Sequence, residues 1–207
     1  MKRKEPKISY MNSKKLSEFL LEELEKAFIE NDKLNHLTKI NDVSIEECYF
    51  KNVDFKNLNL EKVTFLDVIF ENCDLSNQNW NQCYFGRVIF KNCKMLGTTL
   101  MDATVKDGLF EDSLTNYLNL SSASFERCEF LNCNFDNTTF LETKLKDILF
   151  NQCQFSKTEF IKTKLSEIDF SNSDISSTIF DEYSVKGIII DIYQSKNLLA
   201  LLGIKVK

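Results

Sequence analysis

The sequence predicts an all-β solenoid, a rod of stacked coils, on three observations. First, every fifth position from Ile45 to Ile190 is apolar, with Thr115 the one break in thirty steps, and 16 of the 18 Phe fall there. A helix repeats at 3.6 residues and a strand at 2, so neither explains a period of five. A chain that turns a corner at every step, and brings one large side chain inward each time, does. Second, the residue two before each large one is Cys, Val, Thr, Ala, Ser, Ile or Gly at 26 of the 30 steps. One large and one small inward residue per step can fill a narrow tube at native density. Third, a period of 20 lies within the five. Phe50, Phe70, Phe90, Phe110, Phe130, Phe150 and Phe170 form one column, followed by Ile190. Two residues beyond them come Asn52, Asn72, Asn92, Asp112, Asn132, Gln152 and Asn172. Four steps of five therefore make one four-sided coil. About 7.5 such coils, stacked at strand spacing, give a rod ~36 Å long with Phe on Phe and amide on amide.

The repeat occupies residues 38–190, and the two ends read differently. Residues 1–37 are expected to form an N-terminal helical cap. Leu16, Leu20, Leu24 and Phe28 keep helical spacing over 14–31, and Glu22 and Lys26 form an i,i+4 pair. Such a cap would cover the open end of the rod. In residues 191–207, Asp191 and Gln194 make a capping-box start, Gly203 suits a helix stop, and Ile204 and Val206 alternate with lysines as in a short strand. Leu198, Leu199, Leu201 and Leu202 are too many for one narrow face. Some cap the rod, and the others, with Ile204, are expected to meet a partner. Inside the repeat, Thr115 and Leu118 exchange the large and small positions, which predicts a kink or bulge at 112–120, a misfit that local repacking more commonly accommodates than function exploits. Gln78 beside Trp80 is a milder mismatch.

All seven cysteines, Cys48, Cys73, Cys83, Cys93, Cys128, Cys133 and Cys153, occupy the small inward position. Metal ligands would cluster and ignore the register. These interchange with Val, Thr and Ala, as small buried hydrophobes do. The expectation is no metal, no cofactor and no disulfide.

The repeat resembles the pentapeptide-repeat proteins, whose loose pattern is a small residue, Asp or Asn, Leu or Phe, and two of any type. Cys73–Leu75, Cys133–Phe135 and Ser173–Ile175 match it, and the resemblance covers about 70% of the chain. It implies a right-handed quadrilateral β-helix. The C-terminal YQ and LL..LLGI pattern is similar to that of the Qnr-type quinolone-resistance members. In that group a C-terminal helix and strand build a tail-to-tail dimer, so the resemblance implies a homodimer. The same members act on DNA gyrase and topoisomerase IV, in part by DNA mimicry, often through loops that interrupt the coils. This sequence carries no loop insertion from Ile45 to Ile190.

Charge and surface leave two function classes. Net charge is −5, which argues against a general nucleic-acid binder. Residues 38–190 hold 23 acids and 15 bases, and the ends are slightly basic. An acidic rod of DNA-like width can compete for a DNA-binding surface, without itself touching nucleic acid. A second outward feature is apolar: Tyr49, Ile69, Ile89, Leu109, Leu149 and Ile189 share one ladder, broken by Glu129 and Asp169. Such a stripe marks a contact, with either the N-terminal helix lying along its near end or a partner protein. No apolar run is long enough for a membrane span, and the basic start lacks an apolar secretory core, so a cytoplasmic location is expected. There is one histidine, His36, and no glycine-rich phosphate loop, so no catalytic set can be named. A binding protein that modulates a topoisomerase and a scaffold with an unrelated protein partner both fit.

Overall fold

The computed structural model describes residues 2–9, 11–20 and 24–201. It is a parallel β-solenoid in which each turn pairs with the turn 20 residues on. Phe50, Phe70, Phe90, Phe110, Phe130 and Phe150 stand opposite one another in succession. On another face, single bridges climb from Lys33 through Asp54, Asp74, Lys94, Leu114, Asn134 and Gln154 to Asp174, eight rungs for about eight turns. Five eight-residue strands, Ser44–Lys51, Thr64–Glu71, Tyr84–Lys91, Ser124–Leu131 and Lys144–Asn151, bend around one corner of the rod.

Corners explain how a chain with five Gly and one Pro can turn so often. Twenty-six non-glycine residues have φ between 50° and 69°, each two positions past an inward large residue except Tyr117, which follows Thr115. Left-handed backbone costs an ordinary residue roughly 1–2 kcal/mol, and Asn and Asp least, because their short side chains bond locally. Half of the 26 are Asn or Asp. The turn chemistry is present, carried by a residue type that does not read as a breaker.

The seven Phe of the predicted column are all buried, and neighbouring rings stack with centroids 4.7–5.4 Å apart. The small inward position has a polar task. Cys73 Sγ donates to the Phe50 carbonyl, Cys93 to Phe70, Cys133 to Phe110 and Cys153 to Phe130, at 3.3–3.5 Å. Thr98, Thr138, Thr158 and Thr163 donate in the same way to Leu75, Thr115, Phe135 and Phe140. Each reaches back 23 residues to a main-chain oxygen of the coil before. Cys and Thr therefore interchange because both are small and both donate, which apolar burial alone does not explain. All seven thiols are free and buried, and among the described residues no group of His, Cys, Asp or Glu could hold a metal. Burial pushes the Cys48 and Cys128 thiols up to about 12 and Cys83 to about 11.

Two expectations are corrected. The helical cap over 14–31 is not present. Among the described residues of 14–31 only Leu16–Leu20 is helical, a single 3-10 segment, and Leu24–Glu25 and Ala27–Glu30 are strands. Residues 21–23, with Glu22, lie outside the described residues. Leu24, Ile29 and Leu34 are buried five apart, with Ala27 as the small inward residue, so the solenoid begins before residue 38. Ile29 faces Phe50, a spacing of 21, and Thr38 faces Leu58, a spacing of 20. One extra residue therefore sits between Leu34 and Thr38, where Leu37 is 78% exposed beside His36. That residue hid the first coil behind a shift of register. The exposed backbone edge of Ser44–Lys51 then decides the conformation, because it offers hydrogen bonds that a helix would leave unused.

The kink at 112–120 is also absent. Bridges at Leu114 and Asn119 keep the 20-residue register on both sides. Thr115 and Leu118 are both buried, so the large side chain has moved three residues along and the volume is kept. Thr115 Oγ1 donates to the Asn134 carbonyl at 2.6 Å. Gln78 is buried too, with its amide on the Phe55 carbonyl at 3.1 Å.

At the C-terminal end, the Asp191 amide donates to Gln194 Oε1 at 2.9 Å and the Gln194 amide to Asp191 Oδ1 at 3.1 Å, ahead of a helix at Ser195–Leu201. Gln194 Nε2 donates to the Phe170 and Ser173 carbonyls, tying the helix to the last coil. Leu198 packs against the core.

Candidate partner-binding surface

The corner in the middle of the eight-residue strands carries Glu47, Asp67, Arg87, Asp107, Arg127 and Asp147, one per coil. Stacked corners bring side chains 20 residues apart together, so alternating charge along this column becomes ion pairing. Arg87 grips Asp67 with Nε on Oδ1 and a terminal nitrogen on Oδ2, both at 2.5 Å. Arg127 grips Asp107 in the same two-pronged way at 2.8 and 2.9 Å. Paired in-plane contacts of this kind fix orientation as well as charge.

Each clamped carboxylate keeps acceptor capacity, and residues 2–9 use it. The Lys7 amide donates to Asp67 Oδ1 at 2.7 Å and the Lys4 amide to Asp107 Oδ1 at 3.1 Å. Ser9 Oγ donates to the Glu47 carboxylate. Arg3 is buried, with Nε 3.7 Å from Glu129 Oε2. The segment is thus a strap laid lengthwise over the coils from Glu47 to Glu129. Asp67 and Asp107 are each 5% exposed. Burial pushes the Asp67 carboxyl up, but Arg87 and the Lys7 amide outweigh it and hold the carboxyl below the usual range. Asp107 is lowered chiefly by Arg127, against burial, with help from the Lys4 amide.

The apolar ladder lies two residues from this column. Ile69, Ile89 and Leu109 are half-buried, in the coils that the strap crosses. Leu149 and Ile189, beyond its end, are 45% and 44% exposed. Tyr49 gives its hydroxyl proton to Glu71 and meets Phe28 edge-on at 5.3 Å. Glu129, one of the two breaks in the ladder, is the residue facing Arg3. Sequence reading found the ladder and missed the carboxylate column beside it. Its signal was available: the signs of residues 67, 87, 107 and 127 alternate at the coil period.

Of the expected dimerisation residues, Leu198 and Leu199 are half-buried, and Ile192 and Tyr193 just before them are 77% and 89% exposed. The Leu201 side chain, Leu202, Ile204 and the expected strand lie outside the described residues. No helix of the described residues is long and apolar enough to cross a membrane.

Known proteins agree with this architecture. Two solved structures of trypsin-treated QnrB1 variants, described as a plasmid-mediated fluoroquinolone resistance protein, superpose with TM-scores of 0.53 and 0.55 at 20% identity. They cover 90% and 87% of this chain and 90% of their own. No curated protein matches in sequence. The family model described as pentapeptide repeat region matches residues 63–126 and 123–191, together more than half the chain. With its repeat, its parallel coils and that match, the chain belongs to the pentapeptide-repeat family.

Proposed function

We propose that this protein is a non-catalytic binding rod that engages DNA gyrase or topoisomerase IV as a DNA mimic. The observation that carries the proposal is the distribution of free acids. On the faces away from the strap, Asp54, Asp74, Asp112, Asp136, Glu159 and Asp174 form no ion pair among the described residues. Asp54, Asp74 and Asp174 share one column and the other three lie on other columns, so the rod carries scattered negative charge on a narrow, stiff support. Likeness to QnrB1 over nine-tenths of both chains supports the same reading. A right-handed coil follows the usual handedness of parallel crossovers. The exposed Ile192 and Tyr193 beside the leucine-rich tail support a tail-to-tail homodimer.

Purified gyrase, titrated with this protein in a supercoiling assay with and without a fluoroquinolone, tests the reading. Relief of drug inhibition, or direct inhibition at micromolar protein, is the expected result. No effect in either arm overturns it. Deleting residues 192–207 is expected to turn a dimer into monomers or aggregates, and full-length protein sedimenting as a monomer would refute the dimer. A scaffold with an unrelated protein partner is the second reading. The unbroken coil register favours it, because no loop projects between Ile45 and Ile190 to reach a topoisomerase.

A further inference from the structure

We infer that the corner under the strap is a peptide-binding groove, which takes an extended, Lys- and Arg-bearing segment of a partner protein in place of residues 2–9. The inference uses only the groove and its present occupant, so it stands apart from the topoisomerase reading.

The groove is built before any peptide arrives. Asp67 and Asp107 are each oriented by two bonds from an arginine of the next coil, contacts that do not involve the strap. What is left over on each is an acceptor for one main-chain N–H. The two acceptors are two coils apart, roughly 9.6 Å at strand spacing. Lys4 and Lys7, whose amides they take, are three residues apart, and an extended chain advances about 3.3 Å per residue, or ~10 Å. The site therefore measures an extended backbone and reads no particular side chain at those two positions. Beside it run Ile69, Ile89 and Leu109 for apolar contact, and at its end Glu129 calls for a cation. Recognition through main-chain bonds, with adjoining side-chain contacts adding selectivity, is a recurring way to hold an extended peptide.

The present occupant fits imperfectly. Arg3 is buried and pairs with Glu5 of the strap itself at 2.6 Å, yet its Nε–H has no hydrogen-bond partner, and Glu129 Oε2 stands 3.7 Å from it. A buried donor without a partner is a cost the strap carries. Its hold comes from two amide bonds, the Ser9 contact and a high local concentration, which tethering supplies without any new contact. A partner segment that seats its cation on Glu129 has an advantage to set against that tether. In the intact chain its apparent affinity is reduced by the fraction of molecules with the strap open.

Proline lacks an N–H, so Lys4→Pro with Lys7→Pro in the full chain removes both amide donors and leaves the groove intact. The probe is a fluorescent peptide with the sequence of residues 2–9, followed by polarisation. It is expected to bind the double-proline protein at least tenfold more tightly than the unaltered chain. Adding Asp67→Ala and Asp107→Ala removes both acceptors and should abolish that gain. If the fourfold variant does not fold, Asp67→Ala alone added to the double-proline protein should still weaken binding severalfold. A scrambled peptide of the same composition, which loses the cation placed at Glu129, should bind more weakly. No gain in the double-proline protein overturns the inference. Equal binding of the scrambled peptide also does, because attraction to an acidic rod would then suffice. A two-chain complex on mixing unaltered and double-proline protein would make a second copy the occupant, and that too overturns it.

Discussion

Two corners of this rod share a backbone and differ in use. At one, Asn52, Asn72 and Asn92 sit at φ of 50–55° and bond to each other up the rod, at 2.9, 3.1 and 2.7 Å counting from Asn31. Asn52 and Asn72 each give to the coil before and receive from the coil after, and Asn92 gives to Asn72, so the ladder is built from its own members. At the other, Asp67, Arg87, Asp107 and Arg127 sit at φ of 51–57°. Charges alternate, the pairs close two by two, and each carboxylate retains an acceptor that the strap fills. The same bend is thus structural in one column and receptive in the next. Side-chain chemistry at the corner decides which, because the main chain there is already committed to the coil.

The largest expected effect sets both corners against the core that supports them. Phe130 stacks between Phe110 and Phe150 at 4.7 and 5.1 Å. Phe130→Asp should unfold the rod, since lost packing and a buried charge together exceed about 4 kcal/mol. An unchanged melting temperature would show that the column is not the main support. Next, Asp107→Ala should cost roughly 1–3 kcal/mol by breaking the two-pronged clamp and leaving Arg127 on Glu126 alone. It should also raise the rate of tryptic cleavage after Lys4, whose amide Asp107 holds, severalfold. Stability lost without faster cleavage would mean that the carboxylate does not hold the strap.

Acid should separate the corners more gently. Asp67 and Asp107 have lowered carboxyl pKa values in the folded chain. Their contribution is complete above the unfolded value, about 4, and is lost as pH falls through the folded ones. Tryptic sites under the strap cannot be read at such pH, so hydrogen exchange at the Lys4 and Lys7 amides is the measurement. Protection that persists unchanged from pH 6 to pH 2.5 would argue against carboxylate acceptors. The smallest effect belongs to the amide ladder. Asn72→Gly keeps the left-handed corner and removes only the ladder bonds, costing about 0.5–1.5 kcal/mol. Cleavage after Lys7 should not change, and a change would mean that the two corners are coupled through the coil.

Much of this architecture was legible in single residues. Phe at 50, 70, 90 and onward announces the period, and the Cys–Thr exchange at the small position announces a constant environment. Local spacing failed where a competing pattern was equally good. Leu16, Leu20, Leu24 and Phe28 satisfy a helix as well as Leu24, Ile29 and Leu34 satisfy a coil. One extra residue before Thr38 disguised the second pattern. At 112–120 the failure ran the other way: Thr115 and Leu118 look like two defects and pack as one exchange, because a core conserves volume and not position. The clamp was missed because its members lie 20 residues apart, and each alone is an ordinary surface charge.

By itself, the sequence determined the coil, its four sides and its inward column, because a periodic chain has one way to bury a periodic apolar residue. Tertiary structure alone decided where residues 2–9 lie, that 24–30 join the sheet, and which corner stays receptive. Each of these depends on what a neighbouring coil offers, an unpaired strand edge or an arginine one turn away, and such an offer exists only once the coils are stacked.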